Sequence, residues 1–211
     1  MEPNAVRLCY LPLRENFSEE VCERLLARLP KDRREKALAL RCDGDRKCSL
    51  FSETLLRALI SAELVERELR FTADALGKPR LEGGEIAFNI SHTRRAVAIA
   101  LARNEVGVDI ERIRPVDLKV ASRFSADETE YVMRSENREE RFFEIWTKKE
   151  AHLKRLGVGL RVPLSSFSVL SRPIAETLYT FRLGDHVLSV CHEAGARVSL
   201  IELTEEDVLS F

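Results

Sequence analysis

The sequence predicts an α+β fold of two similar lobes, and three observations carry that prediction. Helix-type periodicity precedes strand-type alternation in the first half, the same order returns in the second, and no long linker or low-complexity run separates them. The join is expected near Ala102 to Glu105, dividing the chain into 1–104 and 105–211. A chain of 211 residues buries roughly 70% of the surface its unfolded form exposes, so its core needs no disulfide or metal staple.

Val6 to Leu11 reads as a first strand, and Asn16-Phe-Ser-Glu opens a helix that ends near Leu29-Pro30. A basic helix follows from Lys31 to Arg41, stopped by Cys42-Asp-Gly-Asp, with Gly44 as the flexible turn position and Asp45 as the next cap. Leu50, Phe51, Leu55, Leu59, Val65 and Leu69 then recur at helical steps and predict the main core helix of the first half. After a turn at Leu76-Gly-Lys-Pro, strands are expected over Ile86 to Ile90, Ala96 to Ala102 and Val106 to Glu111, all in one sheet. In the second half Pro115 to Arg123, Asp127 to Ser135 and Phe142 to Leu156 read as helices. Strands are expected at Phe167 to Leu170, Leu178 to Leu183, Val187 to Cys191 and Arg197 to Leu203.

Composition excludes several classes of function. The chain is 45% hydrophobic and 33% charged, with 34 basic and 35 acidic residues, so no basic excess points to nucleic acid or an anionic membrane. No run approaches the roughly 18 apolar residues of a membrane span, and a cytoplasmic protein is expected. Five cysteines, Cys9, Cys22, Cys42, Cys48 and Cys191, fit neither a disulfide framework nor a zinc site and read as reduced thiols.

Three segments carry candidate chemistry. In Val106-Gly-Val-Asp-Ile-Glu-Arg112, alternation puts Asp109 and Glu111 on one strand face, where a divalent cation would relieve their repulsion. A solvated strand edge explains the same pair equally well. Gly107 leaves room there for a ligand to approach. In Phe142 to Lys154, Trp146, Glu150 and Lys154 share one helical stripe, either as a surface ion pair or as an acid and a base held for function. The strand Ile86 to Ile90 runs into Ser91, His92 and Arg94, which can grip a phosphate. Ser91 and His92 are neighbours on opposite strand faces and so form no hydrolase relay. Neither a GxxxxGK[ST] loop nor a GxGxxG fingerprint is present, so side chains must bind any phosphate.

Taken in order, Gly77-Lys-Pro79, Phe88-Asn-Ile-Ser-His92, Val106-Gly-Val-Asp-Ile-Glu111, Arg123-Phe-Ser-x-x-Glu128 and Trp146-Thr-Lys-Lys-Glu-Ala-x-x-Lys154 resemble the 4′-phosphopantetheinyl transferase superfamily, in its two-lobed, surfactin-synthetase-activating type. The resemblance implies two α/β lobes in a pseudo-twofold arrangement, with residues 1–104 contacting the coenzyme A nucleotide and 105–211 carrying metal and catalytic residues. It implies transfer of the 4′-phosphopantetheine group from coenzyme A to a serine of an apo acyl or peptidyl carrier protein, leaving 3′,5′-ADP, by a monomer that uses Mg²⁺ or Mn²⁺.

By the same resemblance Asp109, Glu111 and Glu150 hold the metal, Glu150 takes the serine proton, and Lys154 offsets charge on the leaving group, with His92 beside it. Lys78, Ser91, His92, Lys149 and Lys154 are implied as coenzyme A contacts. Arg33 and Lys36 are implied at the 3′-phosphate. Where relatives carry Arg followed by Thr, this chain has Cys48-Ser49, so Ser49 with Arg46 or Lys47 is expected to reach the nucleotide instead. Glu128 matches a position near the metal and carrier region. A non-catalytic binder and a metal-dependent phosphoester hydrolase built on the same acids are the alternatives.

Overall fold

Strand β1 (Ala5–Pro12) opens the chain and helix α1 (Glu19–Ala27) follows, capped by the Ser18 hydroxyl, which accepts from the Val21 amide at 3.2 Å. The computed structural model describes residues 1–64 and 68–211. Helix α2 (Lys31–Leu38) is followed by α3 (Asp43–Glu63). Here Gly44 and Asp45 lie inside the first turn of α3 and not ahead of it, and Cys42 is the cap residue. Acidic Asp43 and Asp45 favour that start, because carboxylates sit well against the exposed amides of a helix N-terminus. The helix also stops earlier than its apolar pattern predicts: Leu69 lies beyond it yet packs on the same core, and Val65 lies outside the described residues.

A short hairpin, β2 (Phe71–Ala73) and β3 (Pro79–Leu81), frames the expected turn, with Gly77 at φ 89°, a left-handed conformation that suits glycine. Next come β4 (Ala87–Thr93), β5 (Ala96–Ala102) and β6 (Gly107–Arg112). The segment Leu118–Arg123 is a 3₁₀ turn leading to α4 (Ala126–Met133) and α5 (Arg138–Leu156). Acidic Glu139 and Glu140 start α5, Lys154 and Arg155 end it, and Gly157 closes it at φ 73°. Strands β7 (Leu178–Leu183), β8 (His186–Cys191) and β9 (Arg197–Glu202) precede α6 (Glu205–Ser210), an element no pattern predicted. The strand expected at Phe167 to Leu170 does not form; Leu164–Ser166 is a 3₁₀ turn and bends follow.

The class is α+β, as expected, but the strands divide otherwise. One sheet runs β4-β5-β1-β9, with β9 from the end of the chain parallel to β1; the other runs β6-β8-β7. Strand β6 therefore does not share a sheet with β4 and β5. Alternation along β5 shows why the sheets stack: Val97, Ile99 and Leu101 face α3, while Ala96, Ala98, Ala100 and Ala102 face Val108, Ile110 and Leu188 of the second sheet. Four small side chains let that sheet come close. A third apolar cluster, Phe124, Val132, Phe142, Phe143 and Ile145, anchors α4 and α5. Among the described residues no helix is long and apolar enough to cross a membrane.

Two buried or half-buried histidines tie the fold to pH. His186 lies in the second sheet, its Nε2 3.1 Å from Thr93 Oγ1 and its Nδ1 2.8 Å from Asp185 Oδ1. Burial pulls its pKa below 6.5 and the Asp185 charge only partly opposes that. His152 is lowered by burial first and then by Arg155 and Lys149. The unfolded chain therefore takes up these protons first, so stability present above pH 6.5 is lost as pH falls towards the folded values. We expect urea stability to fall between pH 7 and 5.5, by up to about 1.4 kcal/mol per pH unit for each histidine. A flat profile over that window would exclude it.

Candidate active site

Helix α5 lies directly on β6, and Gly107 is the reason it can. A Cβ at Gly107 would overlap the Ala151 carbonyl oxygen and the Arg155 amide nitrogen, and would sit 3.0 Å from Arg155 Cα. The glycine thus makes room for the helix and not for a ligand, correcting the expectation from sequence. Gly107→Ala should destabilise the protein by about 1–3 kcal/mol, because backbone atoms cannot give way as a side chain would. Thermal melts showing an unchanged Tm would refute this.

That contact brings four polar side chains from three elements together. The Lys154 ammonium lies 2.6 Å from Asp109 Oδ1 and 3.1 Å from Ser91 Oγ, and Ser91 Oγ donates to Asp109 Oδ1 at 2.9 Å. On a helix alone Lys154 would pair with Glu150; the fold sends it across to β6 instead. Two carboxylate oxygens, Asp109 Oδ2 and Glu150 Oε1, are buried without a hydrogen-bond partner. Burial raises the Glu150 pKa, and the Asp109 charge adds to the rise against the pull of Lys154. Glu111 is also raised, by burial first, although Arg114 Nη1 reaches its Oε2 at 3.0 Å.

These carboxylates are hard, anionic oxygen donors of the kind Mg²⁺ takes, and unpartnered buried oxygens are costly unless a ligand completes them. The residues fit such an ion. Among the described residues no ready-made group of three His, Cys, Asp or Glu ligands is present: Lys154 meets Asp109 and Arg114 meets Glu111, so an ion would have to take the place of these cations.

The model of the 4′-phosphopantetheinyl transferase superfamily matches residues 105–201, the stretch that holds β6 and α5. The chain is 34% identical over 160 residues to 4′-phosphopantetheinyl transferase Sfp of Bacillus subtilis (strain 168), covering 72% of this chain and 71% of that one. This chain belongs to the 4′-phosphopantetheinyl transferase superfamily. It is also 34% identical over 181 residues to 4′-phosphopantetheinyl transferase psf-1 of Bacillus pumilus, covering 83% and 77%. With gsp of Aneurinibacillus migulanus the identity is 36% over 137 residues, covering 62% and 57%.

In this member of the superfamily several residues implied as coenzyme A contacts are committed elsewhere. Lys149 is fully buried; its ammonium meets Leu164 O and Phe167 O at 2.7 Å each, Glu128 Oε2 at 2.7 Å and the Phe167 ring at 4.1 Å. It occupies the core stripe of Phe142, Ile145 and Leu153, where its ammonium ties α5 to the segment 164–167 and to Glu128. Glu128, equally buried, also accepts from Ser125 N, Ser125 Oγ and Val169 N. Lys47 is likewise buried, against Arg14 O, Asn16 O and Glu205 Oε1.

Lys78 is buried too, its ammonium within 3.1 Å of Glu105 Oε2, Val106 O and Arg155 O, so a phosphate would have to displace Glu105. Ser91 faces the acids and not solvent. His92 is exposed on the opposite strand face; neighbouring protein lowers its pKa by desolvation and the Lys154 charge adds to that. Arg33 pairs with Glu53 at 2.5 Å and, with Lys36, Arg57 and Arg70, borders a cavity of about 660 Å³ walled by Phe71 and Phe88. Ser49 is half-buried on α3, next to Cys48, whose thiol donates to Thr93 O at 3.1 Å. Two residues that sequence reasoning missed are Arg114, three residues past Glu111, and Asn89. Asn89 lay inside a quoted motif, and its position between Phe88 and Ile90 on an alternating strand was the available signal.

Proposed function

We propose that this protein transfers the 4′-phosphopantetheine group from coenzyme A to a serine of an apo carrier protein, releasing 3′,5′-ADP. One observation carries the reading to the site: Asp109 and Glu150 each keep a buried, unpartnered carboxylate oxygen, the Lys154 ammonium meets the other oxygen of Asp109, and its charge acts on Glu150. Family membership and relatives named 4′-phosphopantetheinyl transferase support it.

In this reading Asp109, Glu150 and, once released from Arg114, Glu111 hold Mg²⁺ or Mn²⁺. Such an ion neutralises charge on the coenzyme A pyrophosphate. Glu150 accepts the proton of the carrier serine as its oxygen bonds to the β-phosphorus and the bond from that phosphorus to the bridging oxygen breaks. The upward pKa of a buried carboxylate makes it a stronger base than one in water. Lys154, already turned towards the acids, stabilises the charge that develops on the departing 3′,5′-ADP. Exposed His92 contacts a phosphate from the other face of β4, and Arg33 with Lys36 grips the 3′-phosphate at the cavity they border. Residues 1–104 thus serve the nucleotide and 105–211 the metal and the chemistry, in a cytoplasmic monomer.

The test is intact-protein mass spectrometry of an apo carrier incubated with this protein, coenzyme A and Mg²⁺. A gain of one phosphopantetheine mass, abolished by EDTA and by a serine-to-alanine carrier, is the expected result. No gain with acyl and peptidyl carriers, despite coenzyme A binding, would overturn catalysis.

A further inference from the structure

Strands β4 and β6 lie side by side without sharing a sheet, and side chains take the place of the missing ladder. The Val108 amide donates to Asn89 Oδ1 at 2.8 Å, and the Ile110 amide donates to Ser91 Oγ at 3.3 Å. These two bonds hold the strand that bears Asp109. They also orient the Asn89 side chain: an amide N–H requires an acceptor, so Oδ1 must face Val108 and the NH₂ must face away from β6. Among the described residues, Asn89 Nδ2 has no hydrogen-bond partner and is not a buried orphan. Asn89 lines a cavity of about 310 Å³ whose wall includes Leu76, Pro79 and Val158, with Lys154 and Arg161 beside them. Leu76 is 45% exposed there, an apolar surface without a cover.

Resting on the function proposed above, we infer that Asn89 binds substrate as well as positioning β6: its Nδ2 donates to an amide carbonyl of the pantetheine arm. The phosphates are drawn to Lys154 and to the cation that the acids would hold. The uncharged chain beyond them has methylenes and methyls that suit Leu76, Pro79 and Val158, and amide oxygens that need donors. The same side chain thus aligns Asp109 and fixes where the arm lies as the phosphorus is attacked.

Asn89→Asp separates the two roles, because a carboxylate still accepts from Val108 but cannot donate. Calorimetric titration in Mg²⁺ should show coenzyme A bound about threefold to tenfold more weakly, with 3′,5′-ADP, which lacks the arm, bound as by the unaltered protein and Tm nearly unchanged. Asn89→Ala, which removes the acceptor as well, should lower Tm and weaken coenzyme A binding. Equal weakening of coenzyme A and 3′,5′-ADP would mean mere charge repulsion, and no weakening of either would leave Asn89 a strut; each overturns the inference. The unaltered protein separates this from the functional reading: if it binds no coenzyme A, that reading falls too, whereas equal binding by it and Asn89→Asp sinks the Asn89 inference alone.

Discussion

Asp109→Ala and Glu150→Gln are each expected to lower the rate of carrier modification at least about a hundredfold while the protein stays folded. Asp109 Oδ1 holds Lys154 and Ser91, and its Oδ2 is, like Glu150 Oε1, a buried carboxylate oxygen without a partner. Removing the carboxylate deletes one of the proposed metal donors and releases Lys154 from its place. Glu150→Gln keeps the shape of the side chain and loses both the negative charge and the capacity to take a proton, so it is the sharper test of a base. The measurement is the initial rate of holo carrier formation, with circular dichroism melts of each variant alongside. Near-normal turnover in both folded variants would show that the acids are not the catalytic centre.

Lys149→Met should cost about 3–5 kcal/mol of stability, the usual result of stripping one partner from a buried ion pair. Glu128 would then remain fully buried with an uncompensated charge, although Ser125 and Val169 still donate to it. For a chain of this length that is a Tm drop on the order of 10 °C. The double variant Lys149→Met/Glu128→Gln should recover most of the loss, because neither member is then charged. Urea denaturation of both reads this directly; a single variant as stable as the parent would mean that the pair contributes nothing. Lys149 neighbours Glu150 on α5 but points into the core, so its loss should act on the fold that carries Glu150 and not on phosphate binding.

In this chain the features set by local spacing are legible in the sequence, and those set by distant partners are not. Asp109 and Glu111 were legible as a pair because strand alternation is local, and Glu150 with Lys154 because helical spacing is local. The resemblance implies Lys78 and Lys149 as coenzyme A contacts and Lys47 as a substitute for a missing arginine, and a motif carries no record of what else a lysine meets. Their ammonium groups instead meet backbone carbonyls and acids from segments up to 158 residues away, such as Glu205 for Lys47. Nothing in the neighbouring residues records such partners. Gly107 was noticed for the right reason, a missing side chain, and assigned the wrong neighbour, because only packing shows that α5 fills the space.

By itself the sequence determined the α+β class, the approximate places of most helices and strands, the family, and which acids and lysine are the candidates for the site, since each rests on short-range periodicity or on a motif read in order. The tertiary structure alone decided that β6 leaves the first sheet, that β9 joins it, that Lys154 turns from Glu150 to Asp109, and that Asn89 and Ser91 stand in for ladder bonds. Those outcomes depend on which distant surfaces meet and which buried polar groups must then find partners, a condition that no local pattern contains.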